Sequence, residues 1–106
     1  MYTEEQLEKV KKWLIETENI YSKGSWCESE IKKDLENRKL SDKYSQTNTL
    51  SEKKKKYIEQ FDKDEAVICN FTNNLQIIHQ NHELISNCER CKIQISNLRN
   101  IVQNFS

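Results

Sequence analysis

The first part of the chain has a stripe of mainly apolar residues at alternating spacings of three and four positions. Such spacing places side chains on one face of a helix. Thr3 and Gln6 in the segment TEEQ form a capping box, which predicts that this helix begins at Thr3. The single glycine, Gly24, predicts its end, because glycine readily adopts the left-handed conformation that closes many helices. The stripe consists of Leu7, Val10, Leu14, Thr17 and Tyr21.

A second, more charged helix is predicted directly after Gly24. Ser25 and Glu28 in the segment SWCE form another capping box. Residues 41–49 are almost entirely polar and predict a loop. We therefore expect residues 1–40 to form a pair of short helices that the loop connects to the rest of the chain. The narrow apolar line of the second helix consists of Cys27, Ile31 and Leu35.

The longest regular pattern begins at Leu50. A spacing of four and three positions continues without interruption to Ile85, and Thr49 and Glu52 form a third capping box. This pattern predicts one helix of about 36 residues, roughly 50 Å long at the helical rise. The stripe consists of Leu50, Lys54, Tyr57, Phe61, Asp64, Ile68, Phe71, Leu75, Ile78, His82 and Ile85.

The phase of the apolar stripe shifts after Ile85. A second stripe with the same spacing follows, offset from the first. The shift predicts a break or a stammer near Ser86 and Asn87. Because neither glycine nor proline is present there, we expect a kink within one long helix over residues 50–106 instead of a full reversal of the chain. The second stripe consists of Cys88, Cys91, Ile95, Leu98, Val102 and Phe105.

The composition favours helix throughout the chain. The 106 residues include one glycine and no proline, and aromatic and β-branched residues do not alternate as they do in strands. A chain of this length forms a single domain with a modest core. We therefore predict an all-α fold over residues 1–106. It is either a small helical bundle or a coiled-coil hairpin, with a short N-terminal helix pair and one long, kinked C-terminal helix.

Charge and hydropathy narrow the range of partners. The chain carries 17 basic and 17 acidic residues, so its bulk electrostatics do not favour a polyanion. The run KKKK at residues 53–56 has acidic neighbours and is interpreted as a solvated helix face, so we do not expect nucleic acid as a partner. No apolar run approaches the ~20 residues that span a bilayer, and the charged N-terminus is unlike an export signal. We expect an intracellular protein, cytoplasmic rather than nuclear, without a membrane partner.

The segment HQNHELISNCERC contains both histidines and two of the four cysteines of the chain. His79, His82, Cys88 and Cys91 are potential zinc ligands. On one continuous helix, however, the two pairs face opposite sides and lie about 13 Å apart along the axis. Zinc–ligand distances of about 2.0–2.3 Å cannot span that separation. A site that uses all four residues therefore requires a turn between Ile85 and Cys88.

The sequence leaves three interpretations of these residues. In the first, which we favour, His82, Cys88 and Cys91 pack as part of the helix stripe, since cysteine behaves as a small apolar residue. In the second, the histidines and cysteines bind zinc, the one cofactor that the sequence suggests. In the third, Cys88 and Cys91 are a redox pair, with Cys88 activated at the start of a helix. Cys27 and Cys69 are interpreted as packing residues, with an all-cysteine site formed by these two residues together with Cys88 and Cys91 as the alternative.

No set of residues has the spacing of a phosphate-binding loop, a catalytic triad or an HExxH motif, and we predict no enzymatic activity. The apolar stripes favour a protein–protein interaction module. It would be a small subunit or adaptor that binds a partner, or a second copy of itself, through helix-on-helix burial. One alternative is a zinc-stabilised or redox-active helical domain. Another is a small inhibitor, encoded by a virus or mobile element, that acts by surface capture. The residues predicted to bind the partner are Ile68, Phe71, Leu75, Ile78, Ile85, Ile95, Leu98, Val102 and Phe105.

Overall fold

The computed structural model of the chain describes residues 3–45, 49–74 and 83–105. These ranges form four α-helices and contain no β-strand. The prediction of a small all-α bundle is therefore confirmed. The helices are α1 (Glu4–Ser22), α2 (Glu28–Ser45), α3 (Thr49–Thr72) and α4 (Glu83–Asn104).

The first two helices together form one column that lies along α3. As the chain advances through α1 and then α2, the contacting residue on α3 moves steadily back towards its N-terminus. Both helices are therefore antiparallel to α3, and α2 follows α1 end to end instead of folding back beside it. In chain order, the contacts are Trp13 with Phe71, Tyr21 with Asp64, Asp34 with Tyr57, and Asp42 with Thr49.

The fourth helix completes a bundle of three columns. It is antiparallel to α3, since the Lys54 ammonium donates to the Phe105 carbonyl oxygen at 2.6 Å near one end, while Phe71 and Leu84 line a common groove near the other. It packs against α1 through residues that include Cys91. The three columns form a rod with extents of 56 × 21 × 20 Å.

All four helices contribute buried apolar side chains to one core. Among the side chains that the structure describes, α2 contributes least. Ten of its 18 residues are charged, and Ile31 and Leu35 are its buried ones, whereas α1 adds the half-buried Leu7, Val10 and Trp13 to two buried apolar residues of its own. Burying one such side chain stabilises a fold by about 1.5–3 kcal/mol. The hydrophobic effect therefore holds α2 less firmly than the other helices, and the hydrogen bonds of Asp34 and Asp42 to α3 carry more of its attachment.

The predicted long C-terminal helix is wrong in its extent. α3 ends at Thr72 instead of Ile85, and α4 runs from Glu83 through Ser86 and Asn87 without a break. The chain also reverses between the two helices instead of kinking. The reversal turns the apolar stripe of α3 towards that of α4, so that each covers the other, whereas one straight helix would leave much of both exposed.

The predicted helix starts are only partly correct. The first capping box is confirmed, because the Thr3 N–H donates to the Gln6 Oε1 at 2.9 Å and the Gln6 N–H donates to the Thr3 Oγ1 at 3.2 Å. The second is wrong, since α2 begins at Glu28. Cys27, and not Ser25, precedes the helix, and its carbonyl oxygen accepts the first helical hydrogen bond.

Gly24 lies in the joint between α1 and α2, where two stretches of backbone approach closely. A Cβ atom at this position would lie 2.9 Å from the Ile20 Cα and 3.2 Å from the Ile20 carbonyl oxygen. The space therefore requires glycine. The left-handed conformation expected from the sequence is not present, so the reason for this glycine is steric and not conformational.

Trp26 lies in the joint, and its side chain packs against α3. Its ring centroid lies 5.1 Å from that of Tyr57, 6.1 Å from that of Tyr21 and 6.3 Å from that of Phe61, each at a nearly perpendicular angle. Edge-to-face pairs of this kind each add about 0.5–1.5 kcal/mol to the effect of burial. The aromatic cluster thus connects the end of α1, the joint and the middle of α3.

Replacing Gly24 with alanine tests the close approach in the joint. We expect Gly24→Ala to lower the free energy of unfolding by about 1–3 kcal/mol, because the added Cβ meets backbone that cannot move aside as a side chain would. Chemical denaturation followed by far-UV circular dichroism measures the change. An unchanged or higher stability would show that the joint has room for a methyl group.

Asp42 of α2 caps the N-terminus of α3. Its Oδ1 accepts from the Thr49 N–H at 2.7 Å, and its Oδ2 accepts from the Leu50 N–H at 3.0 Å. The Thr49 hydroxyl also donates to this carboxylate. Thr49, predicted as a helix cap, is thus the first helical residue and is capped from the preceding helix. The Thr49 hydroxyl bond, followed by the backbone bonds, lowers the pKa of Asp42.

The lowered pKa of Asp42 predicts a pH-dependent effect of Asp42→Asn. The carboxylate stabilises the fold fully above its unfolded pKa of about 3.9, and this stabilisation is lost as the pH falls through the lower pKa of the folded state. We expect the variant to melt a few degrees below the wild type at pH 7, as after loss of a helix cap. The difference should shrink at a pH below the folded pKa.

Glu36→Gln is the matched control, because Glu36 is an exposed acid on the same helix. Its thermal midpoint should follow that of the wild type at both pH values. A difference between Asp42→Asn and the wild type that persists unchanged in acid would contradict the cap.

Candidate binding groove between the third and fourth helices

Four of the residues predicted to bind a partner lie in the core of the chain itself. Ile68, Ile95, Leu98 and Val102 are each at most 4% exposed. They are covered because α3 and α4 pack against each other and against the first column. In this fold they present no surface to a partner, and a partner could reach them only if the helices separated.

Three other predicted residues are half-buried. The Phe71 ring packs edge-to-face on Trp13 with centroids 5.7 Å apart. Phe105 lies beneath the Lys39 ammonium, which is 5.9 Å from its ring centroid. Ile85 lies near the start of α4. The two remaining predicted residues, Leu75 and Ile78, are outside the described residues.

Phe71 and Ile85 line a groove between the end of α3 and the start of α4. Its volume is about 280 Å³. The floor is mainly apolar, while Glu89 and Lys92 place one charge of each sign at its side. Small-molecule pockets usually measure about 300–1,000 Å³, so the size suits one bulky side chain better than a typical ligand. The lining consists of Phe71, Thr72, Leu84, Ile85, Cys88, Glu89 and Lys92.

Helical spacing explains how α4 contributes to the groove. Ile85, Cys88, Glu89 and Lys92 follow one another at intervals of three, one and three residues, which places them along one side of the helix. Leu84 belongs to neither predicted stripe, because the first stripe ends at Ile85 and the second begins at Cys88, on either side of the break predicted at residues 86–87. With the helix start known, Leu84 falls one turn before Cys88 and is buried with it.

Cys88 and Cys91 are packed as small apolar residues in the helical core, as the favoured interpretation expected. They are 2% and 0% exposed, respectively, and the Cys91 Sγ lies 3.5 Å from the Leu14 carbonyl oxygen. Burial raises the pKa of Cys88, and it raises the pKa of Cys91 to about 11. Both groups are therefore neutral thiols at pH 7, the form that is poor as a nucleophile.

The geometry that the zinc and redox alternatives required is missing around the cysteine pair. Residues 86–87 are helical, so no turn separates Ile85 from Cys88, and Cys88 lies more than a turn inside α4 instead of at its start. His79 and His82 are outside the described residues, and the four-residue metal site stays a prediction. Within the described ranges, no group of three or more histidine, cysteine or acidic side chains is arranged to hold a metal ion.

The other two cysteines are more accessible than the packing interpretation expected. Cys69 is exposed on α3, and Cys27 is half-buried at the start of α2. The Cys27 Sγ lies 3.3 Å from the Ser29 Oγ. Hydrogen bonds from the Ser29 hydroxyl and from the backbone of Glu30 and Ser29 lower the pKa of the Cys27 thiol. The capping box predicted at Ser25 placed the start of α2 two residues too early, so that Cys27 was expected inside the helix and not at its start.

Comparison of the chain with protein-family models, with characterised proteins and with solved structures finds no significant match. Among the described helices, none combines the length and the apolar character needed to cross a membrane.

The burial of the cysteines predicts two classes of thiol. In the folded protein, Ellman's reagent should react quickly with Cys27 and Cys69 and at least ten times more slowly with Cys88 and Cys91, because the buried pair reacts only when the helices open. Mass spectrometry of the labelled peptides identifies the sites. Rapid labelling of Cys88 in the native state would contradict the packing. If a chelator made Cys88 and Cys91 reactive without unfolding the protein, a bound metal would be indicated.

Proposed function

We propose that the chain is a non-enzymatic interaction module, a small helical subunit or adaptor of a larger assembly. It binds a helix of a protein partner, which inserts an apolar side chain between α3 and α4. The observation that carries the proposal is the groove with Phe71, Leu84 and Ile85 on its floor. Helix-in-groove recognition works in this way, with apolar anchors on one face of the bound helix.

The character of the groove supports an amphipathic helix as the occupant. Its floor is apolar, and the charges of Glu89 and Lys92 lie at its side. A partner helix with one large apolar residue and charged neighbours complements this arrangement, because the anchor buries apolar area while the charges fix the orientation. Of the residues that the sequence predicted to bind a partner, Phe71 and Ile85 line this groove.

A second copy of the chain satisfies the same chemistry, since a groove can bind an apolar residue of an identical molecule. A symmetric dimer would place the same surface on both sides of the interface. Native mass spectrometry and sedimentation over a range of protein concentrations separate this case from capture of a different protein.

Ile85→Glu tests the groove directly. The substitution places a charge among the apolar lining residues, and we expect it to weaken partner binding or self-association at least tenfold, because the charge must lose its water when an apolar side chain enters the groove. The assay compares the proteins retained by the immobilised wild type and variant from an extract of the producing cells, together with their oligomeric masses.

Ile93→Glu provides the matched control. Ile93 is on the same helix, is 60% exposed and does not line the groove, so this variant should bind like the wild type. Both variants must retain the helical signal and thermal midpoint of a folded bundle. Equal binding by the folded Ile85→Glu variant would refute the proposal. A charge at Leu98 is less informative, because this buried position couples binding to folding.

A further inference from the structure

The fold separates the four lysines of the run at residues 53–56. The Lys53 ammonium lies 3.6 Å from the Asp34 carboxylate and 5.3 Å from the centroid of the Tyr57 ring. The Lys54 ammonium donates to the carbonyl oxygen of Phe105. The other two lysines are exposed. The run is therefore not a uniform solvated face, since two of its members have structural partners.

Two lysines of the run line a second cavity, which lies between α3 and the joint of α1 and α2. Its volume is about 270 Å³. Lys53, Lys56 and Lys63 occupy one side of α3, because their spacings of three and seven residues bring them to one helix face. The complete lining is Trp26, Lys53, Lys56, Tyr57, Glu59, Gln60 and Lys63.

The cavity is locally positive although the chain as a whole is neutral. Three lysines and one acid, Glu59, line it. Two more acids adjoin the lining residues, and both already accept hydrogen bonds. The Asp34 carboxylate accepts from the Tyr57 hydroxyl at 2.6 Å and lies beside Lys53, and the Asp64 carboxylate accepts from the Gln60 amide at 3.1 Å. Within the described ranges, Lys56 and Lys63 make no ion pair. Two ammonium groups are therefore available to an anion beside the half-buried Trp26 indole.

The geometry points to a nucleotide as the ligand of this cavity. The base packs against the exposed part of the Trp26 indole, and the phosphate binds the ammonium groups of Lys56 and Lys63. Aromatic side chains next to a basic track are the usual means of binding unpaired nucleotides, and lysine binds phosphate as a point charge. The inference is independent of the groove between α3 and α4.

The same chemistry has two sources, a free nucleotide and a single-stranded nucleic acid. In a Trp13→Phe background, the fluorescence of Trp26 reports on the cavity alone. The titrants are AMP, an oligothymidylate of about eight nucleotides, and inorganic phosphate. Calorimetry provides a second readout that does not depend on the indole. We expect saturable binding of AMP or of the oligonucleotide, which weakens as salt is added.

Substitution of the lysines tests whether the nucleotide binds in the cavity. The double variant Lys56→Gln, Lys63→Gln should lose roughly tenfold or more in affinity, since each removes a charge-assisted contact. Lys55→Gln is the control, because Lys55 belongs to the same run, is exposed and does not line the cavity. All variants are first checked for an unchanged thermal midpoint.

The outcomes are distinct. Saturation by AMP, with the expected lysine dependence, supports a free nucleotide as the ligand. Saturation by the oligonucleotide alone, with the same dependence, supports a single strand. The inference is overturned if inorganic phosphate binds as tightly as AMP, if Lys55→Gln weakens binding as much as the double variant, or if neither nucleotide ligand saturates in either readout.

Discussion

The edge-to-face packing of Trp26 against Tyr21, Tyr57 and Phe61 is the interaction on which the arrangement of the helices depends. α1 and α2 form one column only if the helix is interrupted between them and the chain then continues in the same direction. Gly24 allows the backbone to close on itself there, and the indole fills the space that the interruption leaves. The rings place the end of α1 and the start of α2 on the same side of α3, which defines the order of the remaining contacts.

Polar contacts between the helices specify an alignment that the apolar core alone leaves poorly determined. The Tyr21 hydroxyl donates to the Asp64 carboxylate, and the Tyr57 hydroxyl donates to that of Asp34. For each tyrosine, burial and the adjacent carboxylate raise the pKa of the hydroxyl, so both remain donors at all physiological pH values. These directed bonds specify a register between columns that apolar stripes alone would leave free to slip by a turn.

The sequence predicted some of the features that depend on local chemistry. The stripe of α1 and its capping box need only neighbours a few residues away, and the structure confirms them. The reversal after Thr72 is different, because the apolar spacing continues through Leu75 and Ile78 without glycine or proline. Whether such a stripe continues or turns back depends on which arrangement buries more area, a property of the entire bundle. For the same reason, the stripes alone predicted Ile68 and Leu98 as partner-binding residues, whereas in this fold both pack in the core of the chain.

An odd number of columns has a mechanical consequence. With three columns, the first and last described residues lie towards opposite ends of the rod, whose long axis measures 56 Å. Tension applied between these two ends is directed along the helices. It loads the seams between columns in shear, so that many side-chain contacts must yield together instead of one turn peeling away at a time. A hairpin of two columns, with both ends on one side, would unzip under the same load.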